Sequence, residues 1–167
     1  MKGKRIRESA ILLAQVMNPQ DANPAGNVHG GVIMKLIDTA AGAAAIKHSQ
    51  SNCVTASIDR LDFHNPVFVG DLVTLRASIN YTGKSSMEAG VRVESQNLLT
   101  GQTRHTVSAY MTLVALDRRG KPTSIPPIIP ETADEHRRNR EAQSRRETRL
   151  REKTKEKACQ LNSESCE

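Results

Sequence analysis

Aromatic side chains are nearly missing from this sequence: there is no Trp, and only two Phe and two Tyr occur among 167 residues. A platform that stacks nucleic-acid bases on successive rings is therefore not expected, although the formal net charge is +6. The core has to be built from aliphatic side chains instead. Cysteine is scarce as well. Cys53, Cys159 and Cys166 are odd in number and lack metal-ligand spacing, so neither a disulfide framework nor a metal site is expected, and a cytoplasmic location fits that usage. No apolar run approaches the roughly 18 residues that a membrane span requires. Lys2, Lys4, Arg5 and Arg7 precede the short run Ala10 to Ala14, but Glu8 interrupts it and no small-x-small cleavage site follows before Asn18-Pro19, so it is not read as a secretory leader. Phosphate-cradling glycine motifs and a recognisable nucleophile triad are also missing.

The charge that is present is unevenly spread. Residues 131–167 hold 19 of the 42 charged residues and seven apolar ones, while the first 130 residues are roughly 42% apolar, a normal globular share. The core is therefore expected in the first 130 residues. These carry 14 Lys/Arg against 9 Asp/Glu, a surplus of five that suits an anionic ligand such as a phosphorylated cofactor and equally suits plain solubility. Three regions follow: a folded domain over 1–118, a Pro-rich connector over 119–130, and a charged tail over 131–167. The tail favours a helix with supportive pairs such as Glu141 to Arg145, yet it offers no apolar stripe, so a solvated and partly frayed helix is expected.

Periodicity sets out the domain. Ile6 to Met17 reads as a first strand, closed by Asn18-Pro19 and a loop of turn-forming residues. From Gly30 to His48 the apolar and small positions recur at helical spacing but fill both sides, which predicts a helix buried nearly all round. Its run Ala40-Ala41-Gly42-Ala43-Ala44-Ala45 lets another backbone approach closely. Period two then takes over in strands near 53–63, with a bulge at Asp59-Arg60, and around 73–81, 87–93 and 107–115. The short links predict one helix followed by an antiparallel meander of four strands, with the first strand added at an edge. Five strands cannot cover such a helix on every side, so a dimer joining two sheets is expected.

The residues equipped for chemistry cluster between Asn23 and Asp38. Gly30 and Gly31 open the helix, where unpaired backbone N–H groups and the positive dipole end meet; this is either an oxyanion hole or a simple turn. Asp38 lies on a helix expected to be buried, where desolvation would raise its pKa toward that of a general base unless a backbone amide or an Arg ties it down. His29 either bonds a leaving group or caps the helix. Asn23 either holds a carbonyl or a water, or merely turns the chain. His64 has no obvious partner and reads as structural.

Taken together, Asn23, His29-Gly30-Gly31 and Asp38 resemble the Asn…His-Gly-Gly…Asp pattern of hotdog-fold acyl-CoA thioesterases. The stretches Gly26-Asn27-Val28-His29-Gly30-Gly31, Asp59-Arg60-Leu61-Asp62-Phe63 and Val69-Gly70-Asp71-Leu72-Val73 are similar to the cytosolic, brain-type acyl-CoA hydrolase branch. The resemblance spans residues 5–118 and leaves out the tail. It implies an α+β hotdog fold, in which a curved antiparallel sheet wraps a long central helix, and a homodimer as the minimal unit, assembled further as a trimer of dimers. It also implies hydrolysis of acyl-CoA thioesters to a carboxylic acid and coenzyme A, with no cofactor beyond the substrate's own coenzyme A. Backbone N–H at Gly30 or Gly31 would polarise the carbonyl, Asp38 would activate water or attack the carbonyl directly, Asn23 would orient water or carbonyl, and His29 would hold the loop or the leaving sulfur. Asn23 and Asp38 of one site would come from different subunits. Arg60, Lys84, Ser85 and Ser86 are the candidates for contact with the coenzyme A phosphates. Asp21-Ala22-Asn23-Pro24 also resembles the Asp-x-Asn-Pro-x-His motif of hotdog hydratases, but position 26 is Gly where that motif needs His. The non-enzyme alternative is an acyl-CoA-sensing or RNA-associated module; no nucleic acid or membrane partner is expected.

Overall fold

Alternating apolar and polar residues from position 71 onward make strands with one face for a core and one for a second layer. The computed structural model describes residues 1–161, with the side chains of Arg60, Lys157, Gln160 and Leu161 left out of that description. In chain order it contains β1 (Lys4–Arg5), a 3₁₀ turn (Ile6–Glu8), β2 (Ile11–Val16), a second 3₁₀ turn (Pro19–Asp21) and α1 (Gly30–Ser49). These are followed by β3 (Asn52–Phe63), β4 (Asp71–Thr82), β5 (Ser86–Asn97), β6 (Thr103–Leu116), β7 (Ile128–Ile129) and α2 (Ala133–Leu161). Five strands form one antiparallel sheet in the order β2-β4-β5-β6-β3, and β1 pairs in parallel with β7. The inward residues Leu75 and Ile79 of β4, Val91 and Val93 of β5, and Met111 and Leu113 of β6 pack on Ile33, Ile37, Ala40, Ala41 and Ala44 of α1 in a single cluster. Each large aliphatic side chain in it contributes about 1.5–3 kcal/mol. Its methionines fill irregular gaps that rings occupy in other cores.

The topology departs from the sequence reading in two places. The first strand begins at Ile11 rather than Ile6, because the Glu8 carboxylate accepts the Arg5 N–H (2.7 Å), Ser9 N–H donates to Ile6 O (3.1 Å), and residues 6–8 coil. The four later strands are not a consecutive meander either. β3 pairs with β6 at one edge, and the link 64–70 carries the chain across to β4, which lies beside β2 at the other edge. That link is tied down on its way: Val28 N–H donates to Val67 O (2.8 Å), Asn27 bridges Phe68, and the buried Asp71 carboxylate accepts from Phe68 N–H (3.1 Å) and pairs with Arg104 (2.9 Å). It therefore runs past the loop that precedes α1. The expected bulge in β3 lies between Ile58 and Arg60, and a second shift lies between Thr55 and Ser57.

Only one side of α1 is covered. Ile33, Leu36, Ile37, Ala40, Ala41, Ala44, Ala45 and His48 are buried, whereas Met34 (42% exposed), Asp38 and Ile46 (46% exposed) lie on an open face. The expectation of a helix buried all round is corrected accordingly, since one five-stranded sheet presents a single concave surface. Its C-terminus closes on Gln50 in the left-handed conformation (φ 55°), whose N–H reaches Ile46 O.

α2 lies on the opposite face of the sheet. Ala142 is fully buried there, Asn139 Nδ2 donates to Asn80 O (2.7 Å), and Arg145 grips the Glu88 carboxylate through Nη2 (2.7 Å) and Nε (3.1 Å). The Arg145 guanidinium also stacks on the Tyr110 ring at 3.7 Å. The solvated helix expected for the tail is thus docked, and it docks by polar contacts that a search for apolar stripes does not register. Cys159 is disulfide-bonded, although no disulfide framework was expected from the three cysteines, and Cys53 is free. Among the described residues, no helix is long and apolar enough to cross a membrane.

Candidate active site

The loop before α1 is folded around one side chain. Asn23 Oδ1 accepts the N–H of Ala25 (2.9 Å) and of Asn27 (3.2 Å), and Asn23 N–H donates to Asn27 O (2.7 Å). Gly26 supplies the left-handed turn (φ 84°) that closes this ring. With the carbonyl end of Asn23 occupied, its amide nitrogen has no partner among the described residues. His29 then caps the helix: its N–H donates to Asp21 O (2.8 Å), and its Nδ1 accepts the N–H of Gly31 (2.9 Å). Of the two glycines, Gly31 therefore has its N–H committed to the cap, while the N–H of Gly30 meets no acceptor among the described residues.

A cleft of about 310 Å³ opens at this helix end, lined by Asn23, Gly30, Ile33, Phe63, His64 and Val67 among others. A Cβ on Gly30 would sit 3.4 Å from Phe63 Cζ, in van der Waals contact with the ring beside the free N–H. Asn23 and Gly30 line the same cleft. His29 and Gly31 are adjacent but do not line this cleft.

Asp38 is placed differently from the sequence expectation. It lies two turns along α1, about 12 Å along the axis, on the exposed face rather than buried. Its Oδ1 accepts a 2.6 Å hydrogen bond from Thr55 Oγ1 on β3. Thr55 was not singled out from the sequence. It stands among alternating strand residues with its partner 17 positions away, so no local pattern marks it.

The coenzyme A candidates are scattered. The side chain of Arg60 lies outside the described residues; its backbone pairs with Tyr110. Lys84, Ser85 and Ser86 belong to the β4–β5 turn, in which Gly83 N–H reaches Ser86 O (2.7 Å). Ser86 pairs with Val114 and Phe63 with Val107, so that turn lies about 24 Å along β6 from the cleft of its own protomer. Among the described residues no cluster of His, Cys, Asp and Glu is arranged to hold a metal ion.

A long helix gripped by an antiparallel sheet is the hotdog architecture, here with an open backbone N–H at the first turn of the helix and a carboxylate two turns on. The thioesterase superfamily pattern matches residues 25–101. The cytosolic acyl coenzyme A thioester hydrolase of Rattus norvegicus is 38% identical over 80% of this chain, which spans about a third (35%) of that relative's length. An apo-hexameric acyl-CoA thioesterase superposes with a TM-score of 0.88 at 38% identity, covering 91% of this chain and 97% of that one. An acyl-CoA hydrolase from Staphylococcus aureus, solved with butyryl coenzyme A and coenzyme A, does so at 0.86 with 34% identity, over 93% and 94%. The chain belongs to the thioesterase superfamily. An alanine variant of the S. aureus enzyme superposes over 99% of this chain, so α2 is part of the shared fold.

Proposed function

We propose that this chain hydrolyses acyl-CoA thioesters to a free carboxylic acid and coenzyme A. The observation that carries the reading is the unclaimed Gly30 N–H at the first turn of α1, in one cleft with Asn23. A donor at a helix N-terminus, aimed where negative charge develops on a thioester carbonyl, is the main stabilisation that acyl transfer needs. Asp38 takes a proton from water, and Thr55 fixes the rotamer of its carboxylate. The S. aureus enzyme has been solved with an Asp, a Thr and an Asn each replaced by alanine, at the same separations along the chain as Asn23, Asp38 and Thr55 here. Water is the co-substrate, and no cofactor enters the scheme.

In one protomer Asp38 lies outside the cleft that holds Asn23, so the complete site is proposed to form between two copies, with Asp38 of one facing Asn23 and Gly30 of the other. The exposed Met34 and Ile46 of α1 and the Val54 and Ile58 side chains of edge strand β3 form the surface for that pairing. Antiparallel packing of two α1 helices would bring the Lys84-Ser85-Ser86 turn of one copy toward the cleft of the other, where it can meet coenzyme A phosphates. Assembly of three dimers into a hexamer is supported by the hexameric neighbour, and a cytoplasmic setting by the cytosolic relative's name.

The direct test supplies purified protein with acyl-CoAs from acetyl to stearoyl and follows free thiol with a dye; no turnover across the series overturns the reading. Asp38→Ala is expected to lower kcat by at least about 100-fold while fold and assembly survive. Activity close to wild type would remove Asp38 from the chemistry.

A further inference from the structure

The cleft at the first turn of α1 contains one titratable side chain, and it is not one of those in the Asn…His-Gly-Gly…Asp pattern. Its polar side chains are the amides of Asn23, Asn27 and Asn65; the group that ionises is His64. His29, which caps α1, has its Nδ1 committed to the Gly31 N–H and lies outside the cleft lining.

His64 is held in place from several sides. It follows the last residue of β3, and its main-chain N–H donates to Thr106 O (2.8 Å). Its ring packs against that of His105 at 5.2 Å between centroids, tilted by 35°. The His105 ring is fixed in turn, its Nε2 lying 3.2 Å from Val107 O and 3.0 Å from Ser108 Oγ. Asn65, next in the chain, donates through Nδ2 to His105 O (2.8 Å). The ring nitrogens of His64 have no hydrogen-bond partner among the described residues. The titratable group packed against it is His105 of β6, and neither α1 nor the link 64–70 adds a carboxylate or a further cation to the cleft lining.

We propose that His64 is a catalytic residue in thioester cleavage: its imidazolium delivers the proton taken up by the departing coenzyme A sulfur. The proposal rests on the hydrolase reading of this cleft. Water adds to the carbonyl carbon while Asp38 of the facing copy takes one of its protons. On collapse the C–S bond breaks, its electron pair stays on sulfur, and the His64 proton converts the thiolate to the thiol. Asp38 then gives up the proton it took, the new carboxylic acid ionises, and His64 regains a proton, so the cycle consumes one water and releases one proton to solvent. His64 lines the same cleft as the open Gly30 N–H, and the departing sulfur is bonded to the carbonyl carbon that Gly30 would polarise, so proton donor and leaving group share that cleft.

The experiment compares full-length wild type with His64→Gln and His64→Asn on an acyl-CoA and on the same acyl group esterified to an acidic aryl thiol, which leaves without needing a proton. Wild-type turnover of the acyl-CoA is measured first; its absence overturns the hydrolase reading and this proposal with it. With wild type active, the variants are expected to lose about 100-fold in kcat on the acyl-CoA and less than about threefold on the aryl thioester. Equal losses on both esters, or no loss on the acyl-CoA, overturn the role of His64 and leave the hydrolase reading standing. Both variants replace an exposed side chain, and a second amide length guards against a misplaced substitute.

Discussion

His48 is fully buried at the C-terminal end of α1, where its Nε2 donates to Pro126 O (2.9 Å) and its Nδ1 accepts from Ser9 Oγ (3.2 Å). Burial pulls its pKa down, the Pro126 carbonyl pulls it up, and the nearby Lys4 (down) and Glu8 (up) act more weakly; the net direction is downward. The folded protein therefore holds this proton less readily than the unfolded chain, whose imidazole titrates at about 6.5. Stability from this residue is fully present above that pH and is lost as pH falls through the lower folded value. Denaturant midpoints measured between about pH 7.5 and 5 should fall on acidification for wild type and flatten for His48→Gln; parallel curves would remove His48 as the cause. The same scale shows the reach of local pattern. Gly30, His29 and Asn23 were legible because capping and turn chemistry act over a few residues. Thr55 and His64 were not, because each acquires its meaning from a group on another element.

At the scale of elements, α2 is held by a partly buried ion pair rather than by an apolar stripe. Glu88 is almost fully buried, Arg145 is about a quarter exposed, and Asn80 Nδ2 adds a bond to the carboxylate (3.3 Å). Burial lowers the Arg145 pKa and Glu88 raises it, with a net rise, so the guanidinium stays charged. Glu88→Ala leaves that charge uncompensated and is expected to cost about 3 kcal/mol, read from denaturation midpoints. Glu88→Met combined with Arg145→Met should recover most of the loss, because an apolar pair of similar size avoids the desolvation of both charges. The long strands were legible because their alternation extends over many residues. The docking of α2 was not, since its contacts pair polar groups more than 50 residues apart and leave no period behind.

At the scale of the molecule, one protomer separates what the chemistry needs together. The Asn23 cleft lies at the first turn of α1 and Asp38 faces outward two turns on, so mixing inactive Asn23→Ala and Asp38→Ala subunits should restore activity through hybrid sites. With random exchange, about a quarter of the sites would carry both native residues. No recovery after subunit exchange, demonstrated by mass shift, would show that the site is not shared between copies.

Composition and periodicity by themselves determined an aliphatic core, a small-residue helix against antiparallel strands, and a chemistry-bearing loop at the first turn of that helix, because these depend on neighbours in the chain. Which strand neighbours which, which helix face stays open, and which imidazole reaches the cleft were decided by the tertiary structure alone. The link 64–70 is the physical reason. By crossing from edge strand β3 to β4 and bonding to the loop before α1, it sets Phe63 and His64 beside Gly30, a meeting that the order of residues along the chain does not announce.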